Sequence, residues 1–173
     1  MPMLIWELAT TDGAEIRRTA IGCSADAESF VRDDGRGTLI VCNGDDTGAA
    51  GVSGARRMQL LFTGGRFGRA GGDWLFHVGL WTPPDFREEL LAWYRHEHLP
   101  ILLECPLWDG CRFVEQKTDK GCQFYALHQL ADKAALDSAE RKRSRSTPWF
   151  KRLSVHPWFD GAFTRTLCRR LSA

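Results

Sequence analysis

Residues 74–169 pass through six segments whose hydrophobic period changes in a set order, and that order limits the folds open to the chain. Residues 74–81 (WLFHVGLW) form a short aliphatic and aromatic run, closed by the turn-forming Thr82-Pro83-Pro84. Asp85 can cap a helix running from Phe86 to about Glu97, with Glu88 and Glu89 in its first turn, where acids suit the helix dipole. Phe86, Leu90, Trp93 and Ile101 recur at helical spacing, and Pro100 predicts a break or kink after Leu99. Residues 111–117 and 122–130 read as two strands of a hairpin, joined by Thr118-Asp119-Lys120-Gly121. Residues 132–154 read as helical, interrupted at Ser146-Thr147-Pro148, and 159–169 read as a last strand.

Strand, helix, strand, strand, helix, strand is the split β-α-β order of the ferredoxin-like unit, an α+β class. Its antiparallel sheet carries two helices on one face and leaves the other bare, and a bare apolar face needs a partner. Two such sheets closing on each other make a barrel with the helices outside. The partner is the N-terminal half, a second chain, or both. Residues 64–73, rich in glycine, read as a flexible connection that divides the chain into 1–63 and 74–173. In the first part, residues 3–9 read as a strand and 15–21 as a short helix. Residues 28–33 and 38–43 read as a hairpin around Asp34-Gly35-Arg36-Gly37, and 49–62 as a helix. Read this way, the N-terminal half is an eroded copy of the same unit.

Composition narrows the function classes. Hydrophobic residues at 43% and charged residues at 26% describe a globular domain, and a net charge of +1 supplies no field for nucleic acid. The basic stretch from Glu140 to Ser146 reads as a solvated helix end. No apolar run approaches the ~20 residues needed to cross a bilayer. The six cysteines, Cys23, Cys42, Cys105, Cys111, Cys122 and Cys168, have no zinc-type spacing. With no secretory leader visible, reduced thiols in a cytoplasmic protein are expected. Seven tryptophans and ten phenylalanines suit either a core or a pocket for flat ligands.

Proton-transfer groups concentrate in Trp93-Tyr94-Arg95-His96-Glu97-His98-Leu99-Pro100. Tyr94 and His98, four residues apart, share a flank of the helix and can act as a pair. Glu97 falls near the buried centre line, where an acid needs a partner such as Arg112. A structural lock fastening the helix end accounts for this group equally well. On the first strand of the unit, alternation puts Leu75, His77, Gly79 and Trp81 on one face, toward the barrel interior, and Phe76, Val78 and Leu80 under the helices. His77, with an ordinary pKa of ~6.5, can then serve as general acid or base beside a wall formed by Trp81. A buried histidine bonded to backbone explains it too. Tyr125 is expected to line the interior, whereas His128 keeps apolar company and reads as structural. His96 and His98 lie on different sides of the helix, so no metal site is expected. No phosphate loop, dinucleotide fingerprint or serine-nucleophile elbow is present, so no nucleotide cofactor is implied.

From Trp74 to Arg169 the chain resembles the EthD-like branch of the dimeric α/β-barrel superfamily. The resemblance rests on Trp93-Tyr94, Glu97-His98 and Pro100, on Pro106-Leu107-Trp108-Asp109-Gly110, on Phe124 to Leu130 and on Pro148-Trp149. It implies a ferredoxin-like barrel, commonly a homodimer, with a pocket between sheet and helices. Relatives in that superfamily include cofactor-free monooxygenases, cyclases, isomerases, dehydratases and haem enzymes. The third strand carries His128 where tyrosine is common. The expectation is therefore a cofactor-independent enzyme moving protons on an aromatic or polyketide-like carbonyl compound. His77, His98 and Tyr94 would be catalytic, and Trp81, Tyr125 and Arg112 would contact the substrate. The competing expectations are a non-catalytic binding or accessory protein of the same fold, and haem binding through His77 or His98.

Overall fold

A computed structural model describes residues 2–16, 19, 27–43, 55–68, 70–118, 121–161 and 163–171. Eight strands close into one antiparallel barrel: β1 (Pro2–Leu8), β2 (Glu28–Arg32), β3 (Thr38–Asn43), β4 (Ala55–Gly65), β5 (Trp74–Thr82), β6 (Trp108–Thr118), β7 (Gly121–Leu130) and β8 (Phe163–Arg170). The order around the barrel is β1-β3-β2-β8-β5-β7-β6-β4, with β4 returning to β1. Each half thus contributes four strands in the same fourth-first-third-second order, β4-β1-β3-β2 and β8-β5-β7-β6. The halves join at two seams, β2 with β8 from Phe30↔Arg170 to Arg32↔Cys168, and β4 with β6 from Gln59↔Glu115 to Gly65↔Gly110. Closure occurs within one chain, so the inner face is covered without a second copy.

Strand alternation divides the apolar residues between two cores. Met3, Phe30, Val41, Leu75, Val114 and Leu127 fill the barrel interior. Phe76, Val78, Leu80, Phe113, Phe124 and Leu130 point outward and pack under the C-terminal helices. Those helices are α1 (Arg87–Trp93), α2 (Leu99–Leu103), α3 (Ala139–Ser144), α4 (Pro148–Ser154) and α5 (Pro157–Gly161), with 3-10 turns at Pro84–Phe86 and Lys133–Asp137.

The chain departs from the sequence expectations in places that have physical causes. Residues 55–62, expected to be helical, lie in β4, while 49–54 fall outside the described residues. There Met58 is buried between exposed Arg57 and Gln59, a period of two, and both edges of the strand find hydrogen-bonding neighbours in β1 and β6. Of the expected helix at 15–21, residues 15, 16 and 19 are helical and the remainder lies outside the described residues, as do Asp119, Lys120 and Cys23. Pro100 does not end its helix. Residues Tyr94–His98 form a π-helical turn in which the Leu99 N–H reaches the Tyr94 carbonyl, five residues back. This wider turn moves the carbonyls that the proline ring would otherwise strike, so the helical run continues through Pro100 into α2. Phe159, expected in the last strand, belongs to α5, which Pro157 opens.

The glycine-rich connection is tied down. The buried Gln129 amide accepts from Gly68 N–H at 2.7 Å and donates to the Gly68 and Gly72 carbonyls at 2.8 and 2.9 Å. Gly72 N–H donates to Asp109, and a Cβ at Gly72 would stand 2.1 Å from the Leu130 carbonyl, so only glycine lets this segment lie so close to β7.

Candidate active site

Between the outer face of β5-β8 and the helical layer lies a cavity of about 250 Å³. Its floor is Phe76 and Val78 of β5, His128 of β7 and Phe163 and Arg165 of β8. Trp93, Tyr94, His98 and Leu102 wall one side, and Arg141, Arg145, Phe150 and Phe159 the other. The π turn matters here, because it presents Tyr94 and His98 to the same space, their ring centroids 4.9 Å apart.

At the base, Trp108 Nε1–H donates to His128 Nδ1 at 3.1 Å, and His128 Nε2 lies 2.5 Å from the Tyr94 hydroxyl. Indole nitrogen is only a donor, so His128 Nδ1 must be unprotonated. The neutral ring then carries its proton on Nε2 and donates it to Tyr94. Burial pushes the His128 pKa well below its ordinary value, with His98 and Arg141 adding to the effect, so the ring stays neutral. Tyr94 Oη receives that bond, and its own proton remains for another acceptor. Burial also raises the Tyr94 pKa, which keeps the phenol protonated. The result is a hydrogen-bond donor held by a fixed tautomer at the cavity wall.

His98 packs against Trp93 at 4.4 Å between centroids, and its Nδ1 is buried with no hydrogen-bond partner among the described residues. Burial brings its pKa down to about 3; the backbone of Ser144 opposes the shift, and Arg145 and Arg141 add to it. Its ring is an unprotonated base at neutral pH. Glu97 accepts from the Thr147 hydroxyl at 2.6 Å, and the same hydroxyl accepts from Phe150 N–H as the N-cap of α4. Thr147, not Arg112, is therefore the partner of Glu97, and it clasps the π turn to α4.

The sequence-derived candidates separate into two groups. Tyr94 and His98 line the outer cavity. His77 and Tyr125 lie on the opposite side of the sheet, inside the barrel, their rings stacked at 5.2 Å. Burial takes His77 to about 4, followed by Arg56 and Arg32, and its Nε2 has no partner among the described residues. Gly79 leaves no open space beside His77, since a Cβ there would meet Thr164 at 2.4 Å and the Tyr125 ring at 3.2 Å. Tyr125 accepts from Arg56 at 2.6 Å, Arg112 lies over Phe67, and Trp81 sits half-exposed beside Gly121.

Five polar residues of the site were missed, among them Arg165 of β8. His128 reads as structural from its apolar neighbours, although that same alternation puts it on the helix-facing side with Phe76, its partner in register. Trp108 is hidden in an expected turn. Arg141 and Arg145 lie in the basic stretch, and their i, i+4 spacing was the signal that they share one face.

No family model matches the chain, and no curated protein matches it. Solved structures do. An anthrone oxidase-like protein is 14% identical with a TM-score of 0.69, over 99% of this chain and 91% of that one. A monooxygenase-like protein from Listeria innocua is 11% identical with a TM-score of 0.66, over 99% and 95%. A major regulator of staphylococcal pathogenesis is 10% identical with a TM-score of 0.67, over 99% and 100%. These likenesses are of fold: an α+β barrel built from two ferredoxin-like four-stranded units. In this chain both halves of such a barrel are covalently joined. Among the described residues, no helix is long and apolar enough to cross a membrane.

Proposed function

We propose that the protein is a cofactor-independent enzyme that moves a proton next to a carbonyl group, on an aromatic or polyketide-like compound held in the outer cavity. The observation that carries this reading is the Trp108–His128–Tyr94 chain, which leaves a protonated phenol aimed at an acceptor within reach of an unprotonated histidine. His98 takes the proton from the carbon next to the carbonyl, and the electron pair moves into a carbon–carbon double bond. The carbonyl oxygen becomes an enolate, held by the Tyr94 O–H. Returning the proton elsewhere isomerises the compound, attack on a second carbonyl cyclises it, and loss of a neighbouring hydroxide dehydrates it. Oxygenation of the same enolate takes dioxygen as co-reactant. The Trp93-Tyr94, Glu97-His98 and Pro100 motif supports a place in the EthD-like branch. The proposal moves the chemistry away from His77, which the sheet separates from this cavity.

The test is deuterium uptake at the enolisable position of hydroxynaphthyl ketones, followed by NMR with wild type, Tyr94→Phe and His98→Gln. Enzyme-dependent uptake is expected, lowered about 100-fold by either change, within the range for loss of a general base or an enolate donor. Uptake unaffected by both changes would sink the reading and favour a binding protein of the same fold.

A further inference from the structure

Three guanidinium groups border the proposed active cavity, and among the described residues none is in an ion pair, although the charge of Asp137 reaches Arg141. Arg141 and Arg145 come from α3 and its C-cap, one helical turn apart, and Arg165 comes from the neighbouring strand β8. Among the described residues no acid lies within ion-pair distance of any of them, and the cavity lining contains neither aspartate nor glutamate. In the same helical layer Arg87 pairs with Glu115, Arg143 with Glu104 and Arg152 with Glu89, while exposed Arg95, away from the cavity, lies over the Phe62 ring. The sequence places Arg143 between Arg141 and Arg145, yet it alone of the three turns to an acid.

Two of the three cations are also held in place. Arg141 donates to the Leu136 carbonyl and lies 5.7 Å over the Phe76 ring, while Arg165 lies 4.8 Å over Phe163. Burial and mutual repulsion lower the pKa of Arg141, and burial with the nearby charge of Arg145 does so for Arg165. Like charges gathered at the mouth of a low-dielectric cavity are unfavourable until an anion enters, and guanidinium forks suit a carboxylate in two-point contact. Behind them the wall is aromatic, with Phe76, Trp93, Phe150, Phe159 and Phe163 around a space for one or two rings.

From this juxtaposition we infer that the ligand is an aromatic carboxylate, with its charge between Arg141, Arg145 and Arg165 and its ring among the cavity phenylalanines. This rests on the outer cavity being the working site. It also bears on His98, whose proton affinity Arg141 and Arg145 reduce. A bound anion offsets those two charges and makes the histidine a better base only when the cavity is filled.

Binding separates this inference from the proposed reaction. The probes are 3-hydroxy-2-naphthoate, its neutral methyl ester and inorganic phosphate, titrated by isothermal calorimetry at low and moderate salt. The acid is expected to bind at least tenfold more tightly than the ester, and more weakly as salt rises. Arg145→Gln and Arg165→Gln should each weaken the acid about tenfold and leave the ester unchanged, while Arg152→Gln, outside the cavity, should change neither. Arg145 and Arg165 are exposed, so the folded state is kept, and circular dichroism verifies it. Equal affinity for acid and ester, or indifference to both arginine changes, overturns the inference. Competition by phosphate at the same affinity as the acid reduces the site to a plain anion site and overturns its aromatic half. Binding that holds without any uptake by wild type removes the reaction and leaves the anion site.

Discussion

At the scale of single residues, one donor-only indole sets the chemistry of the cavity. Trp108 forces His128 into the tautomer with its proton on Nε2, and that tautomer decides which way the Tyr94 proton points. Long-range proton–nitrogen correlation spectra at pH 7 should show His128 neutral with Nε2 protonated. A spectrum with Nδ1 protonated would contradict the whole relay. In Tyr94→Phe the buried Nε2–H loses its acceptor, so a stability loss of about 1–3 kcal/mol is expected in urea unfolding. The donors and acceptors themselves were legible, because Tyr94 and His98 stand four apart in an aromatic helix. Their real connection was not, since it runs through a strand histidine and a tryptophan distant in sequence.

At the scale of elements, the π turn and its clasp are what make a helix end into a cavity wall. Thr147 serves two elements at once, capping α4 and donating to Glu97 in the turn. Thr147→Val should cost about 1–2 kcal/mol, the range for a lost N-cap with its added hydrogen bond, and Thr147→Ser should recover most of it. The readout is the thermal midpoint of each variant, and equal losses for both would show that the hydroxyl is idle. Apart from β4, which read as a helix, strand positions were readable within a few residues because alternation is local. Proline was a mixed guide: Pro83-Pro84 closes β5 and Pro148 opens a new helix as read, but Pro100 sits within a continuing helix and Pro157 opens one that takes Phe159 out of the last strand.

At the scale of the whole molecule, three histidines held below their ordinary pKa tie stability to pH. The pKa of His77 falls to about 4, that of His98 to about 3, and that of His128 lies well below its ordinary value. Below about pH 6.5 the unfolded chain takes up protons that the folded protein refuses, so stability falls with falling pH. For each histidine the loss levels off once pH drops below its folded pKa. Between pH 6 and 4 the slope should approach about 1.4 kcal/mol per pH unit for each histidine, read from urea midpoints across that range. His77→Phe keeps the ring stacked on Tyr125 and removes a buried nitrogen with no partner among the described residues. It should hold or raise the neutral-pH midpoint and flatten the acid slope by about one proton. An unchanged slope would mean that His77 is already charged in the barrel.

The sequence by itself determined the strand and helix order of residues 74–170, the side of β5 that residues 75–80 face, and the pairing of Tyr94 with His98 on one flank. Each of these follows from short-range periodicity, which side-chain alternation and helical spacing write directly into the chain. Only the tertiary structure decided that the barrel closes on its own N-terminal half, that the cavity lies outside it under the helices, and that His77 stands across the sheet from that cavity. It also brought Trp108, His128, Arg141, Arg145 and Arg165 together from three strands and a helix. Those outcomes depend on which strand edges meet and which faces are covered, and such pairings join residues too distant along the chain for any local pattern to encode.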